Sequence, residues 1–175
     1  MVSSGCIKKA KTDPKAFEKV YENFYDQVYK YVYFRVNSKE IAEDLVSLIW
    51  EKVLYNLVNL KSNHPLSFKL WLFQITRNSL YEHYRQKKDI VSIEDIEIPQ
   101  AEQITQHAKD AELNAYLLQT LQALPEKEKE VFTLKFYSDC KNKEIAKIME
   151  ISEKVVAVYL SRAVKSLKIK LENLL

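Results

Sequence analysis

Apolar residues recur at steps of three and four along most of this chain, the period of a helix that buries one face. Phe17, Tyr21, Tyr25, Tyr29 and Val32 align on a first helix, with Asp13-Pro14 as cap and first-turn pair. Asn37-Ser38 breaks the pattern. Ser38 can cap a second helix that runs to about Leu60 through Ile41, Leu45, Leu48, Ile49, Val53 and Leu57. Lys61 to Pro65 reads as a loop, and a third helix runs from about Ser67 to Lys88 on Phe68, Leu70, Trp71, Leu72, Ile75 and Leu80. Residues 89–107 lose the helical period and carry Asp89, Glu94, Asp95, Glu97 and Glu102 without a lysine or arginine, so they read as an acidic linker. Periodicity resumes at Leu113, Leu117, Leu121 and Leu124. Pro125 with Glu126 and Glu128 then marks a helix start, where carboxylates meet the positive end of the helix dipole.

The C-terminal pattern is more specific. Ile145, Ala146, Ile148 and Met149 can pack a short helix; Val156, Leu160, Ala163 and Leu167 give a longer one its inward face. Between them Ser152 is placed to cap the second helix. Short helix, tight turn and long helix form the plan of a helix-turn-helix, whose second helix enters a DNA major groove; an ordinary helical hairpin has the same pattern. Residues 141–175 hold eight lysines or arginines against four glutamates, which favours an anionic partner.

Composition narrows the classes. The single glycine, Gly5, excludes phosphate-cradling glycine loops and dinucleotide fingerprints. It also argues against sheets joined by tight glycine turns. The net charge of +3 is mild, so partners depend on where the charge sits. Cys6 and Cys140 fit no disulfide or metal framework, and His64, His83 and His107 lie far apart. No catalytic constellation, metal site or cofactor is expected. No stretch approaches a membrane span and no signal-peptide pattern opens the chain, so a cytoplasmic protein without membrane insertion is expected.

Taken in order, these segments resemble a sigma factor of the sigma-70 family, most like its compact extracytoplasmic-function group, over roughly residues 15–170. Phe17-Glu18 with Tyr25 and Tyr29 is similar to the family's first helix, and Ala42-Glu43-Asp44-Leu45-Val46 to its polymerase-clamp motif. Phe68-Lys69-Leu70-Trp71-Leu72 with Arg77-Asn78 is similar to its promoter-melting helix. Leu121, Leu124-Pro125, Glu130-Val131-Phe132, Glu144-Ile145-Ala146 and Leu160-Ser161-Arg162-Ala163 are similar to its −35-binding domain.

The resemblance implies an all-α protein of two small helical domains: 14–88 for core polymerase and the −10 element, an acidic linker at 89–108, and a helix-turn-helix domain at 109–175 for the −35 element. It implies core RNA polymerase and promoter DNA as partners, an anti-sigma factor as a further candidate, and no enzymatic activity of the chain itself. Core polymerase would dock on Asp44, Leu45, Ser47 and Leu48, with Ser47 standing where the family usually has glutamine. For Leu45 and Leu48, burial in the core is the competing reading.

Single-stranded −10 DNA would meet Trp71, Arg77, Asn78, Tyr81, Tyr84, Arg85, Lys87 and Lys88. This set interleaves phosphate-neutralising cations with rings that can stack on bases, although Trp71 also fits a core. Asn63 and His64, in the preceding loop, could read a base edge. The −35 element would meet Ser152, Lys154, Val155, Val158, Tyr159, Ser161, Arg162 and Lys165. Here the family often has Gly-Thr-Val-Lys-Ser-Arg-Leu-Ser-Arg-Ala, so Ala157 and Tyr159 replace two basic positions and Val158 points outward. The acidic linker is either a solvated tether or a segment whose carboxylates mimic nucleic acid inside the polymerase. The expected function is promoter-specific initiation; the alternative is a sigma-like or helix-turn-helix regulator that acts mainly through protein binding.

Overall fold

The computed structural model describes residues 2–90 and 118–172, and every regular element in them is helical. Helices α1 (Ser4–Ala10), α2 (Pro14–Val36), α3 (Lys39–Asn56), a 3-10 turn (Leu57–Asn59) and α4 (Pro65–Ile90) form the first half. The second half holds α5 (helical over 118–122), α6 (Glu126–Phe136), α7 (Asn142–Met149) and α8 (Glu153–Glu172). Most of the acidic linker and the start of the Leu113–Leu124 pattern lie outside the described residues.

Side-chain caps set the helix starts where the sequence placed them. Asp13 accepts from the Lys15 N–H at 3.0 Å, Ser38 from Ile41 at 3.4 Å and Ser152 from Val155 at 3.3 Å. Two features depart from the sequence expectation. First, α1 was not anticipated. It packs on α2 and α4 through Ile7 and Ala10, and Lys11 Nζ donates to the Leu60 carbonyl at 2.6 Å. Second, the buried face of α2 is Ala16, Val20, Phe24, Val28, Tyr31, Val32 and Arg35, one residue out of phase with the expected Phe17-Tyr21-Tyr25-Tyr29 stripe. Those rings are half-buried on the flank toward α3. Tyr21 meets Trp50 at 4.8 Å, and Tyr25 stacks on Tyr29 at 6.0 Å between centroids. A ring on the shoulder of a helix still buries much area, which is why the aromatic stripe imitated a core face.

Phe68, Leu72, Phe73 and Leu80 of α4 are buried with α2 and α3 residues in a core that continues into Val131, Leu134, Ile145, Ile148 and Val156 of the second half. Leu121, Leu124, Ala163 and Leu167 form a smaller cluster of their own. Among the described residues no helix is long and apolar enough to cross a membrane, and no group of acidic, histidine and cysteine side chains could hold a metal ion.

Sharp turns are made without glycine. Asn37, Asp139 and Glu150 occupy the left-handed region, at φ 52, 48 and 57. Asn37 ends α2 and Glu150 ends α7, inside the helix-turn-helix. That conformation strains a residue bearing a Cβ. Replacing the exposed Glu150 by glycine is therefore expected to raise unfolding stability by about 0.5–1 kcal/mol, the αL strain less the entropy of an added glycine. Urea denaturation measures this, and an unchanged or lowered midpoint would refute the assignment of strain at this turn.

Candidate nucleic-acid and polymerase interfaces

On α3 the residues that face away from the core are polar and apolar together. Asp44, Ser47 and Leu48 are exposed, and the same face continues through Glu51, Leu54, Tyr55 and Val58. Leu45 is not exposed with them: at 7% exposure it packs in the core. Tyr55 is 82% exposed. Nothing in the pattern marked the last three apolar residues as surface, because leucine, tyrosine and valine at helical spacing read equally well as core.

The expected −10 residues fall into two groups. Asn78, Arg85 and Lys87 are exposed, as is His64, whose Nδ1 accepts from the Leu66 N–H at 3.2 Å and so caps the start of α4. Asn63 and Trp71 are half-buried, and the Trp71 ring packs against Phe68 at 5.8 Å. Lys88 lies at the end of α4, and its side chain is outside the described residues.

Arg77, Tyr81 and Tyr84 are engaged at the seam between the two halves. Glu130 of α6 is wholly buried there. Its Oε1 accepts from Arg77 Nε at 2.8 Å and from the Tyr31 hydroxyl at 3.2 Å; its Oε2 accepts from the Tyr81 hydroxyl at 3.0 Å. Arg35, 3% exposed, pairs with Glu126 and stands 3.9 Å from Glu130. The Arg77 guanidinium lies 4.8 Å over the Tyr81 ring, and the Tyr84 hydroxyl donates to the Arg35 carbonyl at 2.7 Å.

Burial, reinforced by the Glu130 charge, holds the Tyr31 phenol well above its ordinary pKa. Burial opposes the charge of Arg35, but Tyr31, Glu130 and Glu126 outweigh it and raise its pKa. Elsewhere along the seam, Lys69 Nζ donates to the Asp139 carbonyl at 2.7 Å and to Glu144 at 3.2 Å, and Phe34 stacks on Tyr137 at 3.7 Å. These partners lie in the other half of the chain, so no local pattern could have revealed them.

The outward face of α8 is open. Lys154, Val155, Val158, Ser161, Arg162 and Lys165 are exposed, with Val158 at 41%; Tyr159 is half-buried, and Ser152 is exposed at the cap. Val156, Ala163 and Leu167 face inward as the periodicity required.

Comparison with known proteins agrees with this architecture. The sigma-70 region 2 family model matches residues 20–90, and the sigma-70 region 4 model matches residues 114–167. The ECF RNA polymerase sigma factor SigM of Bacillus subtilis is 31% identical over 132 residues, covering 74% of this chain and 79% of SigM. RNA polymerase sigma factor SigZ of the same organism is 28% identical, over 67% of this chain and 65% of its own length. In fold, the chain is similar to the sigma factor RpoE of Bartonella quintana, solved in complex with the anti-sigma factor NepR. That likeness has a TM-score of 0.69 at 22% identity, over 90% of this chain and 98% of RpoE. The chain belongs to the sigma-70 family, in its extracytoplasmic-function group: it is a sigma factor, a DNA-binding protein that directs promoter-specific transcription initiation.

The seam supplies one chemical probe. Cys140 is buried, and burial pushes its thiol up to about 12. Only about one in ten thousand such thiols is ionised at pH 8, and the thiolate is the reactive form. Ellman's reagent at pH 8 is therefore expected to modify Cys140 only as the fold opens, and both cysteines at once in guanidinium. Rapid modification of Cys140 in the native chain would contradict its burial.

Proposed function

We propose that this sigma factor docks on core RNA polymerase through the outward face of α3, engages single-stranded −10 DNA along the C-terminal half of α4, and reads the −35 element with α8. The observation that carries the docking assignment is the exposure of Asp44, Ser47 and Leu48 on one helix face while Leu45 turns inward. An amphipathic helix whose apolar residues lie open to water suits a groove on a partner protein. Leu54, Tyr55 and Val58 extend that face by two turns. The −10 surface combines Asn78, Arg85, Lys87 and Lys88 with Arg77, Tyr81, Tyr84 and Trp71, with Asn63 and His64 at its mouth. On α8, Lys154, Arg162 and Lys165 hold phosphates, and Val158 lies where an apolar contact to a thymine methyl is available.

In this reading residues 14–88 and 109–175 divide the two promoter elements between them, and the acidic segment at 89–108 links them. The polymerase performs the chemistry, so the chain contributes no catalytic step and works in the cytoplasm. An anti-sigma factor is a candidate partner, as NepR is for RpoE.

Docking is tested by co-elution with purified core polymerase. Leu48→Arg is expected to weaken assembly by about 2 kcal/mol, roughly 30-fold, as for an interface hot spot, and Asp44→Ala less. Leu45→Ala is expected instead to lower stability by about 2–5 kcal/mol without loss of assembly by the folded protein. Wild-type assembly by both Leu48→Arg and Asp44→Ala would rule out this face.

DNA reading is tested by selection from a randomised duplex pool. Arg162→Ala is expected to weaken binding to all sequences alike, whereas Val158→Lys changes the enriched motif, because phosphate contacts position and base contacts specify. If the wild type enriches no motif while core binding is intact, α8 does not read DNA with specificity.

A further inference from the structure

We propose that the groove between α1 and the start of α2 is a further nucleic-acid contact, a lysine-lined seat for phosphates of the single strand whose bases meet α4. The proposal rests on the assignment of α4 and the loop before it to −10 DNA. The groove has a volume of about 750 Å³ and is lined by Lys9 of α1 and by Lys15 and Lys19 of α2, against one carboxylate, Asp13. All three lysines are exposed, and among the described residues none of them makes an ion pair. Asp13 is held at the cap of α2, where it accepts from the Lys15 N–H at 3.0 Å.

The fold alone gives no reason for this charge. Lys15 stands in the first turn of α2, the positive end of the helix dipole, where a cation is disfavoured. Lys19 follows one turn later, and like charges four residues apart destabilise a helix. A polyanion laid along the groove relieves both costs. The chain itself supplies only Asp13, since Glu18 and Glu22 of α2 do not line the groove. Position then selects the polyanion. Lys11, two residues after Lys9, donates from Nζ to the Leu60 carbonyl at 2.6 Å. That hydrogen bond fastens the turn between α1 and α2 to the chain just before Lys61, itself exposed, and the loop that holds Asn63 and His64. The groove therefore begins beside the segment assigned to −10 bases. A strand that leaves this loop meets ammonium groups at its next phosphates, contacts that hold the backbone without reading sequence.

The experiment uses the full chain and a fluorescein-labelled single-stranded DNA oligonucleotide of mixed sequence, with binding followed by anisotropy over a salt series. A variant with Lys9→Ala, Lys15→Ala and Lys19→Ala together is expected to bind about tenfold more weakly at low salt. Its slope of log affinity against log salt is expected to flatten by about 0.7 for each lost contact, about 2 in all. A second variant with Lys30→Ala, Lys39→Ala and Lys143→Ala removes the same charge from exposed positions elsewhere and is expected to keep the wild-type slope. Cys6 also lines the groove, with its thiol 3.6 Å from the Ala16 carbonyl. Saturating oligonucleotide is expected to slow alkylation of Cys6 by N-ethylmaleimide several-fold in the wild type, read by mass spectrometry, and to leave it unchanged in the Lys9, Lys15 and Lys19 variant.

The groove assignment is overturned if the Lys9, Lys15 and Lys19 variant, helical by circular dichroism, matches the control variant in affinity and slope. It is overturned equally if saturating oligonucleotide leaves wild-type Cys6 alkylation unchanged, and this second measurement decides alone should the variant lose its helicity. Poly-L-glutamate is run at the same salt. Protection of Cys6 by it equal to that by DNA would give the groove to an acidic protein segment instead and overturn the nucleic-acid assignment. The −10 reading is checked separately with Arg85→Ala and Lys87→Ala. Unchanged binding by that pair would count against α4, while the slope change and the protection of Cys6 would still support the groove.

Discussion

Glu130 has no contact with water, and a carboxylate in that position must be compensated by its neighbours. The compensation comes from the other half of the chain: Arg77, Tyr31 and Tyr81 donate to it, and Arg35 stands beside it. This one group therefore couples the burial of α6 to the position of α2 and α4. Arg35 is bound by the same condition in reverse, since its carboxylate partners Glu126 and Glu130 both sit on α6. Neither half could bury these charges without the other.

Helix α4 carries the consequences because it serves two environments. Its inward face, with Phe68, Leu72, Phe73 and Leu80, belongs to the core and fixes the helix rigidly. Its remaining faces bear the cations and rings, and their surroundings divide them. Toward the C-terminus Arg85 and Lys87 project into water, whereas Arg77 and Tyr81 meet α6. Positive charge is thus open to solvent on part of α4 and paired with a carboxylate of α6 on another part.

Turn chemistry shapes the second half in a different way. The bend between α7 and α8 is made by Glu150 at positive φ and by the Ser152 hydroxyl, which accepts from the first turn of α8. Conformational strain at Glu150 is offset by a cap two residues further on, and the angle between the two helices follows from both. Burial of Ile145, Met149, Val156 and Ala163 then locks that angle. The outward face of α8 stands on the core beneath it.

The sequence by itself determined the helical segments of the described residues from Pro14 on, the caps at Asp13, Ser38 and Ser152, and the inward face of α8. These are local properties, set by 3.6-residue periodicity and by hydroxyl or carboxylate groups within three residues of the N–H they satisfy. Order and spacing of motifs along the chain were also sufficient to indicate the family. Periodicity, however, states that a helix buries one face and not what it buries that face against. It set most of the inward face of α2 one residue out of phase, because the flanking aromatic rings repeat at the same spacing as the buried residues. It missed α1, whose seven residues contribute only Ile7 and Ala10 to the core. It did not single out Leu54, Tyr55 and Val58, which face water. Only the tertiary structure decided that Arg77 and Tyr81 meet a carboxylate about fifty residues further on, because a partner at that separation leaves no mark on the residues around them.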